Sequence, residues 1–228
     1  LGHSMGAFVA VTLAHTHPDR VARLVLVDGG LPLTPPPGLD DAAVLAAVLG
    51  PAAERLSMTF PTRAAYQDFW RVHPAFAADW GPAVARYVDY DLTGTEPALR
   101  PSAVLAAVQE DSAEIHSAAT VGPALAALAH PTVFLRAPRG LRDEPPGLYP
   151  EPEVAAWAAR LPGLRWATVP DVNHYTVLLT DRGADAVAAV VSAAVAAEVS
   201  AEVSVPVAGE ASLAPAATTQ RERLIAPG

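Results

Sequence analysis

The sequence predicts an α/β fold whose sheet is mainly parallel. Apolar runs without alternation are typical of strands buried on both faces of a parallel sheet, and they occur at residues 21–28, 131–137 and 164–169. Helical patterns lie before, between and after them, at residues 7–15, 115–129, 153–160 and 177–199. Because strands alternate with helices, the helices are expected to cover the faces of the sheet.

Composition restricts the classes of function. The 228 residues are 51% hydrophobic and 17% charged, so the chain has enough apolar side chains for a sizeable core and is unlike a disordered chain. Its net charge is −9, and its 15 basic residues are all Arg and scattered singly, so binding to nucleic acid is not expected. The chain has no Cys, which excludes disulfides, zinc–thiolate sites and cysteine nucleophiles.

Targeting signals are not evident in the sequence. The longest apolar run, residues 186–197, is bracketed by Asp185 and Glu198 and is too short to span a bilayer, which takes about 20 residues. No basic and then apolar segment opens the chain, so a cytoplasmic location is the default expectation. Because the first residue is Leu1, we expect translation to begin upstream.

The stretch between the first two predicted strands differs in character. Residues 31–117 begin with a loop containing Pro32, Pro35, Pro36 and Pro37 and continue with short helical segments, most of the aromatics and no convincing strand. We interpret it as a helical insertion, with residues 1–30 and 118–199 forming one α/β core. Residues 200–228 are rich in Ala, Val, Ser and Pro without a period, and we expect them to be disordered.

A short motif near the start carries the chemistry. Gly2-His3-Ser4-Met5-Gly6 fits the G-x-S-x-G nucleophile elbow, in which a serine sits on a sharp strand-to-helix turn and glycines allow close approach of the chain. An apolar helix follows at once and would point its amino end at the serine. The motif therefore predicts an exposed serine hydroxyl, with the Met5 N–H able to donate to a developing oxyanion.

Four stretches together resemble the α/β-hydrolase superfamily, specifically its serine hydrolases with a helical cap. In chain order they are GHSMG, HPDRVARLVLVDGG, PTVFLRAPRGLRDE and VPDVNHYTVLL, and the resemblance covers residues 1 to about 197. It implies that Ser4 is the nucleophile and that a histidine after the last strand is the base. Of the seven histidines, His174 fits that place.

The acid that would orient His174 is less well defined. The resemblance implies an acid in the loop after the penultimate strand, where Asp143 and then Glu144 lie somewhat later than usual. Some family members carry the acid after the preceding strand, where this chain has Asp28. We predict Asp143, with Glu144 and Asp28 as the alternatives.

Other side chains have both a functional and a structural interpretation. In the predicted cap, the aromatic residues are expected either to line an apolar substrate pocket or to form the small core of the cap; these are Phe69, Trp70, Phe76 and Trp80. Arg139 is expected either to bind an anionic substrate group or to be solvated.

The resemblance also implies that strands precede the elbow, and these strands are absent from the chain. They would include the loop that supplies the second oxyanion donor, so we expect the chain alone to be inactive and the predicted chemistry to belong to a longer protein.

The expected function is hydrolysis of a carboxylic ester or a related acyl bond. The alternatives are an acyltransferase, a carbon–carbon bond hydrolase, or a member of the fold that binds a ligand without turnover. We expect no metal, no organic cofactor and no partner beyond an acyl substrate and water, and the oligomeric state stays open.

Overall fold

A computed structural model of the protein describes residues 1–34, 38, 43 and 51–199. Three prolines of the expected loop (residues 35–37) and the tail expected to be disordered (residues 200–228) lie outside the described residues.

The strands form one parallel sheet and one small antiparallel pair. They are β1 (Gly2–His3), β2 (Leu24–Val27), β3 (Leu92–Thr93), β4 (Arg100–Pro101), β5 (Thr132–Arg136) and β6 (Leu164–Thr168). The parallel sheet has the strand order β1-β2-β5-β6. Because each pair is parallel, the carboxyl ends of the four strands lie at the same edge of the sheet. Its three longer strands confirm the three predicted runs, with narrower bounds.

The helices flank the sheet or lie in the insertion. They are α1 (Met5–Thr16), α2 (Pro51–Glu54), α3 (Arg63–Arg71), α4 (Pro82–Tyr90), α5 (Leu105–Ser117), α6 (Val121–Ala126), α7 (Glu151–Arg160), α8 (Thr176–Leu179) and α9 (Asp181–Val199). Single turns of 3₁₀ helix occupy Pro18–Arg20, Arg55–Ser57 and Pro74–Phe76. Among the described residues, no helix combines the length and hydropathy that crossing a bilayer requires.

Two predicted helices are each divided into two. The helix expected over residues 115–129 is interrupted at Ala118, whose φ of 54° is left-handed, so that α5 ends there and α6 begins at Val121. The helix expected over residues 177–199 is interrupted at Thr180, which is extended. Gly122 and Pro123 lie in the first turn of α6 and are a signal for the first break, whereas the second break falls at neither Gly nor Pro.

The β2 strand shows why the apolar runs lack alternation. Leu24 and Leu26 pack with α1 and α6 on one face of the sheet, while Val25 and Val27 pack with α9 on the other. All four are buried. Burial of each such side chain contributes on the order of 1.5–3 kcal/mol, which explains why every position of this strand is apolar.

A separate hydrophobic cluster lies in residues 51–104, which we call the cap segment because they fall in the predicted cap. Its buried members are Phe60, Tyr66, Trp70, Ala75, Phe76, Val84, Val88 and Leu99. The segment also holds the antiparallel pair β3–β4, which contradicts the expectation of no strand there. Strands of two residues are too short to leave a period in the sequence.

Candidate active site

The predicted elbow is present at the junction of β1 and α1. Ser4 has φ 52° and ψ −125°, a left-handed φ that is costly for a residue with a side chain. Its N–H donates to the Val27 carbonyl (3.0 Å), and its carbonyl accepts from the Ala7 N–H (3.0 Å). The neighbouring strand and the first turn of α1 therefore hold the strained serine in place.

Two glycines allow the chain to pack closely around Ser4. A Cβ placed on Gly2 would lie 2.6 Å from the Ala7 Cα, and one placed on Gly29 would lie 2.7 Å from the Ser4 Cα. Both contacts are with backbone, which cannot move aside. A Cβ on Gly6 meets nothing within 4 Å among the described residues, so of the two motif glycines it is Gly2 that makes room for the turn.

The structure brings His174 to the serine. His174 Nε2 lies 2.9 Å from Ser4 Oγ, although 170 residues separate them. The imidazole is 2% exposed and lies in the loop between β6 and α8, as the sequence predicted. A base at hydrogen-bonding distance from a serine hydroxyl is the geometry that proton removal requires.

The carboxylate that meets this imidazole is Asp28. Its Oδ2 lies 2.8 Å from His174 Nδ1, and its Oδ1 accepts the Ala137 N–H (3.0 Å). Asp28 is fully buried and follows β2 directly, with φ 44°. A buried carboxylate is stabilised only when its oxygens are paired, and here the imidazole and a backbone N–H satisfy one oxygen each.

The prediction that Asp143 orients His174 is therefore corrected. Asp143 Oδ1 accepts instead from Arg139 Nε (2.7 Å) and from Asn173 Nδ2 (2.9 Å). The reason is the path of the loop after β5. It folds into a turn closed by the Gly140 N–H on the Glu144 carbonyl (2.7 Å), which leaves Asp143 beside the histidine loop rather than beneath the imidazole.

The alternative Glu144 does not reach His174 either. Its carboxylate accepts the Arg142 N–H (2.8 Å) inside the same turn. Arg139, for which an anionic ligand was one interpretation, forms an ion pair with Asp143 within the chain.

His3, the second residue of the motif, lies beside His174. Its ring centroid lies 4.7 Å from that of His174, and its Nε2 lies 2.8 Å from the His174 carbonyl. Burial, followed by the charge of His174, lowers the pKa of His3 to about 4. At neutral pH the ring is therefore uncharged, and Nε2 carries the proton that it donates to that carbonyl.

Met5 is the first residue of α1 and directly follows Ser4. The first N–H groups of a helix have no partner inside the helix and lie at its positive end. The Met5 N–H is thus suited to meet an oxyanion formed at Ser4, which is the role that the motif predicted.

The cap aromatics named from the sequence divide into two groups. Trp70 and Phe76 are buried in the cap cluster, and Phe69 and Trp80 pack against it while partly buried. Tyr175 joins this cluster, since its ring centroid lies 5.1 Å from that of Phe76 and 5.5 Å from that of His174. The cap segment thus contacts the histidine loop directly.

Comparison with known proteins gives one match at the level of sequence families. The sequence model of the alpha/beta hydrolase fold matches residues 1–86. No curated protein matches the sequence.

Solved structures match a larger part of the chain. E-2-(acetamidomethylene)succinate hydrolase is 20% identical with a TM-score of 0.56, and the match covers 84% of this chain and 64% of that one. The peroxisomal α/β-hydrolase Lpx1 of Saccharomyces cerevisiae is 15% identical with a TM-score of 0.62, and the match covers 93% of this chain and 57% of that one. An esterase of Thermogutta terrifontis is 21% identical with a TM-score of 0.51, and the match covers 86% of this chain and 63% of that one.

The chain spans less than two thirds of the length of each of these three proteins. The parallel sheet and the elbow agree with these matches. The described residues form part of an α/β-hydrolase fold, and residues 1–86 match the sequence model of that fold.

Proposed function

We propose that the protein is a serine hydrolase that cleaves a carboxylic ester or a related acyl bond through a triad of Ser4, His174 and Asp28. One observation carries the proposal, namely the two hydrogen bonds that connect the three side chains. Ser4 Oγ lies 2.9 Å from His174 Nε2, and His174 Nδ1 lies 2.8 Å from Asp28 Oδ2. These side chains lie at the carboxyl edge of the parallel sheet, where ligands of open α/β sheets bind.

In the first half of the reaction, Ser4 Oγ attacks the substrate carbonyl while His174 Nε2 takes the hydroxyl proton. The developing oxyanion accepts a hydrogen bond from the Met5 N–H, and loss of one such donor costs about 10²–10³ in rate. The tetrahedral intermediate collapses, His174 returns the proton to the leaving alkoxide, and an acyl-enzyme remains on Ser4.

In the second half, His174 removes a proton from water, which attacks the acyl-enzyme. The second intermediate collapses to a free carboxylic acid, and Ser4 recovers its proton from His174. Asp28 keeps Nδ1 as the protonated ring nitrogen, so that Nε2 faces Ser4 as the base. It also stabilises the imidazolium that forms in both halves, which a fully buried carboxylate does strongly.

Several solved structures of this fold are of enzymes whose names describe acyl transfer to water, and this supports the proposal. One is a thioesterase domain from the curacin biosynthetic pathway, at 16% identity, and another is an esterase from Exiguobacterium antarcticum, at 13% identity. At such identities the likeness establishes only the fold, so the triad geometry carries the argument.

The test uses the protein as its gene encodes it, including any residues upstream of Leu1. We expect a fluorophosphonate probe to label Ser4, and short or medium p-nitrophenyl esters to be hydrolysed. The S4A variant should lose both the labelling and the hydrolysis. The preferred acyl length would then describe the substrate pocket. A folded protein that neither takes the label nor hydrolyses any ester would overturn the proposal and favour a ligand-binding member of the fold.

A further inference from the structure

We propose that Asn173 and Asp143 are positioning residues for His174, and that Asn173 makes the placement of this base depend on the placement of the cap segment. The inference rests on the proposed function for its effect on rate, while the coupling itself is a property of the fold. It is built on the side chain that directly precedes His174 in the sequence.

The carbonyl end of the Asn173 side chain holds the turn that contains His174. Asn173 Oδ1 accepts the N–H groups of Tyr175 (3.0 Å) and Thr176 (2.9 Å), and the Asn173 N–H donates to Thr176 Oγ1 (2.7 Å). These bonds close a tight loop around His174 at the start of α8. The backbone of the base is therefore pinned on both sides by the residue that precedes it.

The amide end of the same side chain reaches two other parts of the fold. Asn173 Nδ2 donates to the Ala75 carbonyl in the cap segment (2.8 Å) and to Asp143 Oδ1 in the loop after β5 (2.9 Å). Asn173 is 1% exposed, and its two donor hydrogens and its carbonyl are all used. The opposite orientation of the amide would set NH₂ against two N–H donors, so the contacts determine the orientation.

Asp143 is the partner that ties this amide to the rest of the sheet edge. Its Oδ1 also accepts from Arg139 Nε, and Arg139 Nη2 donates to the Asp171 carbonyl (3.2 Å), two residues before Asn173. A parallel β-bridge joins residues 139 and 173 as well. Asp143 therefore serves as a hydrogen-bond acceptor for the histidine loop, a task that a neutral amide oxygen can also perform.

The Ala75 contact makes the cap segment part of this arrangement. Ala75 is buried beside Phe76, which packs on the Tyr175 ring, so the contact lies where the cap segment meets the histidine loop. Displacement of the cap segment has to break the Ala75–Asn173 hydrogen bond, and with it one of the two contacts that hold the Asn173 amide. The positions of His174 and of the cap segment are thus linked through one side chain.

The substitution N173D tests this inference because it is isosteric. The carboxylate keeps acceptors for the Tyr175 and Thr176 N–H groups, but it loses the donors and repels both Asp143 and the Ala75 carbonyl. Small displacements of a base cost up to about 100-fold, and we expect kcat/KM on a p-nitrophenyl ester to fall about 10- to 100-fold. D143N alone should stay within about threefold of wild type, because it retains an acceptor oxygen.

The double variant D143N/N173D separates the two contacts. Its new amide at position 143 can donate to the carboxylate at position 173, and Arg139 can turn to that carboxylate as its acceptor, while the Ala75 carbonyl still lacks a donor. We expect kcat to recover towards wild type and KM to stay above the wild-type value, because the contact with the cap segment is still missing. D171N is the control, because it is the same Asp→Asn change as D143N, made in the loop of Asn173 at a side chain outside these bonds. It should leave both constants unchanged.

Hydrogen exchange gives a readout that does not depend on activity. In N173D, residues 73–77 should exchange faster, while the Tyr175 and Thr176 amides stay protected. Unchanged kinetics and exchange in N173D, or equal losses in N173D and the double variant, would overturn the inference. If wild type shows no labelling or turnover, the proposed function fails, and exchange still decides whether Asn173 couples the two regions.

Discussion

Two neighbouring strands of the sheet each lead to an aspartate, and the two aspartates differ in nearly every physical respect. Asp28 follows β2 directly, is fully buried, and contacts His174. Asp143 comes seven residues after the end of β5, its side chain is 39% exposed, and it contacts Arg139. Both have a left-handed φ, 44° and 66° respectively, so backbone strain does not distinguish them.

The difference lies in the partner and in the distance from the strand. A carboxylate next to a strand end is positioned by the sheet and is shielded from water, so its charge acts on the imidazole at low dielectric. A carboxylate several residues farther along a loop follows the path of that loop, and Asp143 is neutralised by an arginine. Under the proposed function, the two aspartates therefore have different roles: Asp28 supplies charge to His174, and Asp143 helps to position the histidine loop.

The largest effect should come from removing the charge of Asp28. D28N offers Nδ1 of His174 an amide in place of a carboxylate, which disfavours the required tautomer and the imidazolium. We expect kcat on a p-nitrophenyl ester to fall about 10³–10⁴-fold. D143N, made in parallel, should lose no more than about threefold. A larger loss in D143N than in D28N would reverse the assignment of the acid.

The second effect compares two glycines, Gly29 directly after Asp28 and Gly140 three residues before Asp143. In G29A the new Cβ would lie 2.7 Å from the Ser4 Cα, so the elbow must shift, with a cost of about 1–3 kcal/mol in stability and about 100-fold in kcat. In G140A the close atoms belong to the Glu144 carboxyl group, which can rotate away. Urea unfolding and ester kinetics on both variants measure the contrast. Equal effects would show that the Asp28 loop is no more tightly packed than the Asp143 loop.

The third effect concerns pH and the packing beside His174. Burial lowers the pKa of His3 from 6.5 to about 4, so the unfolded state binds this proton more tightly than the folded state. The contribution of neutral His3 to the free energy of unfolding is therefore fully present above pH 6.5, and it is lost as the pH falls towards 4. Between pH 7 and pH 5 we expect His3 to contribute a loss of about 2 kcal/mol in the free energy of unfolding.

H3Q removes this titration and should reduce that loss, as measured by urea unfolding at the two pH values. H17Q is the control, because His17 is exposed. If wild type and H3Q lose the same stability between pH 7 and pH 5, the burial of His3 does not shift its pKa.

The smallest effect is expected at the surface contact between the cap segment and α9. Arg182 donates to Asp79 at 2.6 Å and to the Asp171 carbonyl at 2.8 Å, but the arginine side chain is 43% exposed. Exposed ion pairs contribute about 0–1 kcal/mol, so D79N, which leaves the bond to Asp171 in place, should lower stability by no more than about 1 kcal/mol and leave kcat unchanged. A fall in kcat as large as that of N173D would show that this ion pair, and not the buried Asn173–Ala75 bond, couples the cap segment to the base.

Much of the site was accessible from sequence because its parts have local signatures. The elbow is a pentapeptide, and Ser4 and its strain follow from it. His174 was identified from its place after the last predicted strand, a topological rule rather than a local one. Asn173 and His3 each lie next to a predicted catalytic residue, but nothing in their immediate sequence indicates that they contact Ala75 and the His174 backbone.

The sequence by itself determined the α/β class and the elbow at Ser4, because buried strands and a strained turn impose their composition on consecutive residues. The family resemblance then led to His174 as the predicted base. Only the tertiary structure decided which carboxylate meets His174. Asp28 and His174 are 146 residues apart, and their contact depends on the order of the strands and on the path of the loop after β5. Those are properties of the packed sheet, which no short stretch of the chain specifies alone.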